Sequence, residues 1–210
     1  MDFVSARKAM VDSQVRTSDV TDTTIHKAML NTPREDFCAP DRAFAAYADA
    51  VVPIAAGRSL MRSREVGKLL QALRPRAGER ALAIAAPYAG ALMARMGLEV
   101  TAQESDPHVA AVLEPALVQA GVQPVVQALG QPAGADFDLI VSEGGVSAVP
   151  EAWIAALKPG GRLAVVERDG PIGHARLFVR GQSGAVSRLE LFDASPEMLA
   201  GFEKRPTFAL

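Results

Sequence analysis

One cysteine in 210 residues, Cys38, leaves no intramolecular disulfide and no thiolate-rich metal site, which suits a reducing compartment. The three histidines, His26, His108 and His174, stand at neither metal-ligand nor triad spacing and read as surface or cap residues, so no metal is expected. Neither sign of charge dominates: the net charge is −2, and no global field draws nucleic acid or an anionic membrane. Long hydrophobic runs are missing too. Ala81–Ala94, the longest uncharged stretch near the first core strand, is too short to span a bilayer and contains Pro87. The opening M-D-F-V-S-A-R-K is charged where a secretory signal would be apolar, so a cytoplasmic protein is expected.

What is present is an ordinary globular balance, 49% apolar and 22% charged, with enough chain for one domain with a substantial core. Residues 1–75 read as an N-terminal helical cap and 76–210 as a Rossmann-like core of that single domain. Spaced apolar positions from Asp2 to Leu30 predict two helices, broken by capping-type residues around Thr17–Thr23. Pro33, Pro40 and Pro53 make Asn31–Pro53 irregular or short helix. A helix is predicted over Ser63–Leu73. After Gly78 short apolar runs alternate with helical stretches, the sign of βαβ units and a parallel sheet. Strands are predicted at Arg80–Ala86, Glu99–Gln103, Pro124–Gln127, Phe137–Ser142 and Arg162–Glu167, with helices at Tyr88–Met96, Pro107–Ala120 and Pro150–Leu157. Ala175–Arg180 and Ala185–Phe192 flank Gly181-Gln182-Ser183-Gly184 and read as an antiparallel hairpin.

In folds of this type a nucleotide lies at the carboxyl ends of the strands, beside the turn after the first, and an acidic residue roughly 20 positions on takes the ribose hydroxyls. Glu104, 19 positions after Ala85, stands there. Spacing alone also leaves open a solvated carboxylate at a strand end. Ser142 and Glu143 end the fourth strand at the same edge, where Glu143 reads as a pocket residue or a solvated strand end. Asp106 before Pro107 reads as a helix N-cap, Cys38 as a small buried hydrophobe, Trp153 as helix-on-sheet packing, and Gly90 as a close-packing position.

Several segments together resemble the protein-L-isoaspartate O-methyltransferase family. M-V-D-S-Q-V-R at 10–16 is similar to the N-terminal arm of its divergent members, P-R-E-D-F at 33–37 to Pro-Arg-Glu-x-Phe, and A-Y-A-D at 46–49 to Ala-Tyr-x-Asp. V-P-I-A-A-G-R-S-L-M at 52–61 sits where the family has its substrate loop. F-D-L-I-V-S-E-G-G-V-S-A-V-P at 137–150 and L-K-P-G-G-R-L-A-V-V at 157–166 resemble its fourth- and fifth-strand motifs. The resemblance implies a class I methyltransferase fold, a mostly parallel seven-stranded sheet with a C-terminal antiparallel hairpin and an N-terminal helical cap. It also implies S-adenosylmethionine as cofactor, held around Ala85, Ala86, Tyr88, Glu104, Ser142 and Glu143, and a damaged protein or peptide as substrate, met by Arg58, Ser59 and Met61. The nucleophile would be the isoaspartyl carboxylate itself, so no residue of the protein is assigned a catalytic role. Alignment of the reactants is then the main contribution, worth as much as ~7–11 kcal/mol.

The chain departs from the family where the ligands bind. The family's first turn is Gly-x-Gly-x-Gly-Tyr. Here Ala85-Ala86-Pro87-Tyr88 is shorter and without glycine, and a tight strand-to-helix connection with Pro87 at the first helical position is the expectation. In the substrate loop Arg58, Ser59, Met61 and Ser63 stand at the family's Gln, Thr, Ser and Pro. Met61 cannot replace a hydroxyl that hydrogen-bonds a carboxylate. Arg58, Arg62 and Arg64 read either as a cluster for an anionic partner or as a solvated basic turn. Two functions follow: a carboxyl methyltransferase with altered loops, or a non-catalytic relative used for binding. A nicotinamide oxidoreductase is disfavoured by the same missing glycines.

Overall fold

A computed structural model describes residues 2–204. Seven strands form one sheet in the order β5-β4-β3-β6-β7-β8-β9, namely β3 (Arg80–Ile84), β4 (Glu99–Glu104), β5 (Gln123–Val126), β6 (Phe137–Val146), β7 (Leu157–Arg168), β8 (Gly173–Arg180) and β9 (Val186–Ala194). The first five pair in parallel, and β8 and β9 add the antiparallel hairpin. The strand order reverses between β3 and β6, the arrangement that opens a ligand crevice at the carboxyl ends of both. Every residue of β6 is buried, as expected of a central parallel strand covered on both faces.

Helices α4 (Pro87–Arg95), α5 (Pro107–Gln119) and α6 (Glu151–Ala155) make the crossovers. The carboxylate of Asp106 accepts the N–H groups of His108 and Val109 and starts α5, with Pro107 in its first turn. Pro87 opens α4 in the same way. Gly90 lies where α4 meets β3, and a Cβ there would stand 3.0 Å from that of Ala83, so the expected close-packing role holds. Trp153 is fully buried and donates its indole N–H to Leu129 O at 2.7 Å, which ties α6 to the loop before β6.

The N-terminal segment packs against the same core through α1 (Phe3–Met10), α2 (Thr23–Leu30) and α3 (Ser63–Leu73), whose buried side chains continue the main apolar cluster. Arg34–Phe37 and Pro40–Ala45 are 3₁₀ turns, in line with the prolines. Two features differ from expectation. Val52–Ala55 (β1) and Arg58–Leu60 (β2) form a separate antiparallel hairpin across the substrate-loop motif. His26 is buried rather than superficial, and its Nε2 meets Val20 O at 2.8 Å across the link between the first two helical segments.

Candidate functional site

The carboxyl ends of β3, β4 and β6 meet the β1–β2 hairpin, and the residues expected to form a cofactor site do come together there. After β3, Ala85 adopts a left-handed φ of +47°, the geometry that glycine supplies without strain. Its N–H is donated to Gln103 O at 2.9 Å. Ala86 and Pro87 turn directly into α4. The N–H of Ala89 in the first turn of α4, where an anionic ligand group would be received, is donated to the Glu143 carboxylate at 2.7 Å. Glu143 is 1% exposed, which excludes the solvated strand end. Burial pushes its carboxyl above the usual range, against the Ala89 N–H and the charge of Arg34, which pull it down. Ser142 and Tyr88 are fully buried, and their hydroxyls have no protein partner. The Tyr88 ring lies under the Arg34 guanidinium at 4.7 Å and against Phe37.

Glu104 ends β4 at the ribose position, and Arg58 of β2 reaches it. Nε of Arg58 donates to one carboxylate oxygen at 2.8 Å and Nη2 to the other at 2.7 Å. The Ser105 and Asp106 N–H groups add donors to Oε1 at 2.7 and 3.1 Å. Both partners are buried, Arg58 to 7% and Glu104 to 5% exposure. Sequence reasoning had placed Arg58 in a substrate loop or an arginine cluster. The structure instead gives each of the three guanidiniums its own carboxylate, Arg58 with Glu104, Arg62 with Glu65 and Arg64 with Asp49. The three do not form a cluster; Arg58 is buried, whereas Arg62 and Arg64 stay partly solvated where the chain turns into α3.

A strap from Ser195 to Phe202, unread in the sequence, covers the end of β6. Gly145 N donates to Glu197 O at 2.7 Å, Leu199 N to Gly145 O at 2.8 Å, and Ser147 N to Phe202 O at 2.8 Å. Ser59, expected at the substrate, donates its hydroxyl to the Glu197 carboxylate at 2.7 Å and so pins the hairpin to the strap. Met61 is 1% exposed, and its carbonyl receives Arg34. The space left beside Ala85, Ala86, Pro87 and Glu104 is about 10 Å³, and that between Arg58, Met61, Glu143 and Leu199 is also about 10 Å³. Each has room for about one water molecule. Among the described residues no group of three or more His, Cys, Asp or Glu side chains could hold a metal ion, and no helix is long and apolar enough to cross a membrane.

Topology and crevice define an α/β methyltransferase-type protein. Residues 5–185 match the family model described as protein-L-isoaspartate(D-aspartate) O-methyltransferase, and the chain belongs to that family. It is 34% identical over 194 residues to a protein-L-isoaspartate O-methyltransferase of Methylorubrum extorquens, which covers 89% of this chain and 85% of the relative. Two solved structures share the fold. A protein-L-isoaspartate O-methyltransferase superposes with a TM-score of 0.78 at 21% identity, covering 94% of this chain and 67% of the other. A Plasmodium falciparum homologue in complex with S-adenosyl-L-homocysteine superposes with a TM-score of 0.78 at 17% identity, covering 95% and 98%.

Members of this family use S-adenosylmethionine, and in this structure the chain's own side chains close the crevice at the strand ends. Glu104 is paired with Arg58, the Ala89 N–H is donated to Glu143, and the spaces beside them have room for about one water each.

Proposed function

We propose that this chain is a non-methylating member of the family, a scaffold that keeps its nucleotide crevice closed with its own side chains and acts by binding a partner. The observation that carries this reading is the bidentate contact of Arg58 with Glu104. S-adenosylmethionine, the cofactor expected from the family, would have to displace a guanidinium from a buried carboxylate and do so without a glycine-lined turn. A lost hydrogen bond to a charged ligand group costs roughly 1.5–3 kcal/mol, so losing two moves a micromolar site towards millimolar. At the substrate end, the buried thioether of Met61 offers no hydroxyl to a carboxylate.

A calorimetric titration with S-adenosylmethionine and S-adenosylhomocysteine, alongside a methyl-transfer assay on an isoaspartyl peptide, tests the reading. No heat at millimolar ligand and no methyl ester are expected; micromolar binding would overturn it.

One observation favours a second reading, a carboxyl methyltransferase that opens when Arg58 swings aside. Ala85 keeps a left-handed turn although it is not glycine, so the backbone path of a ligand-binding turn persists at a cost of about 1–2 kcal/mol. Under this reading a damaged protein or peptide is the substrate, and the same titration shows saturable binding.

A further inference from the structure

Beyond the crevice, the opposite edge of the sheet carries an unused surface. β9 pairs with β8 along one side, and its other backbone edge has no strand partner among the described residues. From Val186 to Glu190 every residue is exposed, Leu189 to 59% and Val186 to 44%, so this stretch is open on both faces and along its edge. The regular ladder ends at Leu191, which is left over between the pairs Arg176–Glu190 and Ala175–Phe192. An exposed straight edge of this kind is a template for pairing with another chain.

The order of charges along the edge decides what fits it. Two identical strands related by a two-fold axis normal to the sheet pair antiparallel, with one residue facing its own copy at the axis. Centred on Arg188, the pairing would set guanidinium against guanidinium; centred on Glu190, carboxylate against carboxylate. Centred on Ser187 it would set Arg188 against Val186. Centred on Leu189 it places Arg188 opposite the copy's Glu190 twice and leucine against leucine, and it reaches Ser187 opposite Leu191, where the ladder ends. Like charges directly opposite are destabilising and unlike charges stabilising. Arg188 and Glu190 share the face that holds Arg176 and Glu167, with Arg188 to Glu167 at 3.7 Å and Arg176 to Glu190 at 3.4 Å, so the second copy would extend a charge network already laid out. On the other face Leu189 lies opposite Leu177 over a groove of about 970 Å³, which supplies apolar surface beside the axis.

We propose that β9 is the interface between two copies of this chain, joined edge to edge about a two-fold axis through Leu189 into one continuous sheet. Sedimentation velocity of the full chain from low micromolar to high concentration should show a reversible monomer–dimer equilibrium. Arg188→Glu alone and Glu190→Arg alone should each weaken association about tenfold, because each sets two like-charged pairs across the axis. An equimolar mixture of the two variants should re-form the dimer, since one chain then carries carboxylates at both positions and the other guanidiniums. Leu189→Arg should abolish it. Thermal melts at dilute concentration show whether the variants fold, as all three positions are exposed. A chain that stays monomeric at high concentration overturns the proposal. So does a dimer indifferent to all three substitutions, or one that the mixture fails to restore.

Discussion

Arg58 and Glu104, separated by 46 positions, are joined by two parallel hydrogen bonds inside the crevice where a nucleotide ribose would lie. A guanidinium on a two-stranded hairpin thus engages both oxygens of the carboxylate that ends β4. Guanidinium and carboxylate match bidentately, which makes arginine suited to this contact in a way lysine would not be.

Arg58→Ala should therefore leave a buried carboxylate with only its backbone and serine donors. Breaking one side of a buried pair costs about 3–5 kcal/mol, and the remaining donors to Glu104 put this case at the lower end. A chain of this size should lose roughly 5–10 °C in Tm. Arg58→Met combined with Glu104→Gln should recover most of the loss, because no unpaired charge remains. A single variant as stable as the parent would show that the pair contributes nothing. The same Arg58→Ala chain also separates the two functional readings: a Tm raised by S-adenosylhomocysteine in the variant and not in the parent identifies Arg58 as the group closing the crevice.

The strap over β6 makes a second prediction. A Cβ at Gly144 would fall 2.4 and 2.7 Å from Leu199 side-chain atoms, and the residue holds a φ of +145°. Gly170 has a similar φ of +149° with nothing within 4 Å, so it isolates the backbone contribution. Gly170→Ala should cost about 1–3 kcal/mol from conformation alone. Gly144→Ala should cost about 1–3 kcal/mol more through overpacking. Hydrogen exchange should then quicken at Leu199 and Phe202, whose N–H groups are donated within the strap contact. Equal losses in the two variants would mean that the strap gives way freely.

Much of this architecture was legible in the sequence. The alternation of apolar runs with helical periods placed the core strands along the chain, their parallel sheet and the final hairpin, and the Pro-rich stretch marked a region of irregular chain or short helix that proves to be 3₁₀. Individual side chains followed where the local rule was strong, as at Asp106, Pro87, Gly90 and Trp153. The partner of Arg58 was not legible, because an ion pair between positions 58 and 104 depends on how the hairpin folds across the sheet and leaves no local periodicity. Pro53 concealed β1, since proline reads as a break although an edge strand tolerates it. His26 was misplaced because its partner, the Val20 carbonyl, lies in the link before α2 and leaves no mark in the helical pattern itself. The strap from Ser195 was missed because it pairs with β6 through backbone groups, which carry no residue signature.

Cys38 gives a prediction about reactivity. It is 4% exposed, and burial pushes its thiol up to about 11, with Arg34 opposing the shift. The thiolate is the nucleophile, so at neutral pH this sulfur should be nearly inert. Iodoacetamide should label the native chain very slowly and the urea-unfolded chain at the rate of a free thiol. Fast labelling under native conditions would mean that the segment around Phe37 opens readily, which would undercut the packing of Phe37 against Tyr88.

Glu143 provides the pH-dependent counterpart. Its carboxyl is raised in the folded chain, chiefly by burial, from an ordinary value near 4.5. A raised acid favours the protonated form in the fold. Its ionisation therefore subtracts stability as pH climbs through the unfolded value towards the folded one, and subtracts nothing well below 4.5, where both states are protonated. Glu143→Gln keeps a carbonyl oxygen to accept the Ala89 N–H and removes the charge. The second carboxylate oxygen makes no hydrogen bond of good geometry, though the backbone N–H groups of Met61 and Tyr88 lie close enough to favour its charge, so the amide nitrogen that replaces it gives up only those weaker contacts. The variant should be more stable than the parent at neutral pH by about 1 kcal/mol or more, and the difference should close as pH falls below the ordinary carboxyl range. Urea unfolding of both chains across that range measures it. A variant less stable at neutral pH would mean that the negative charge itself, facing the first turn of α4 and the Arg34 guanidinium, holds the closed crevice together.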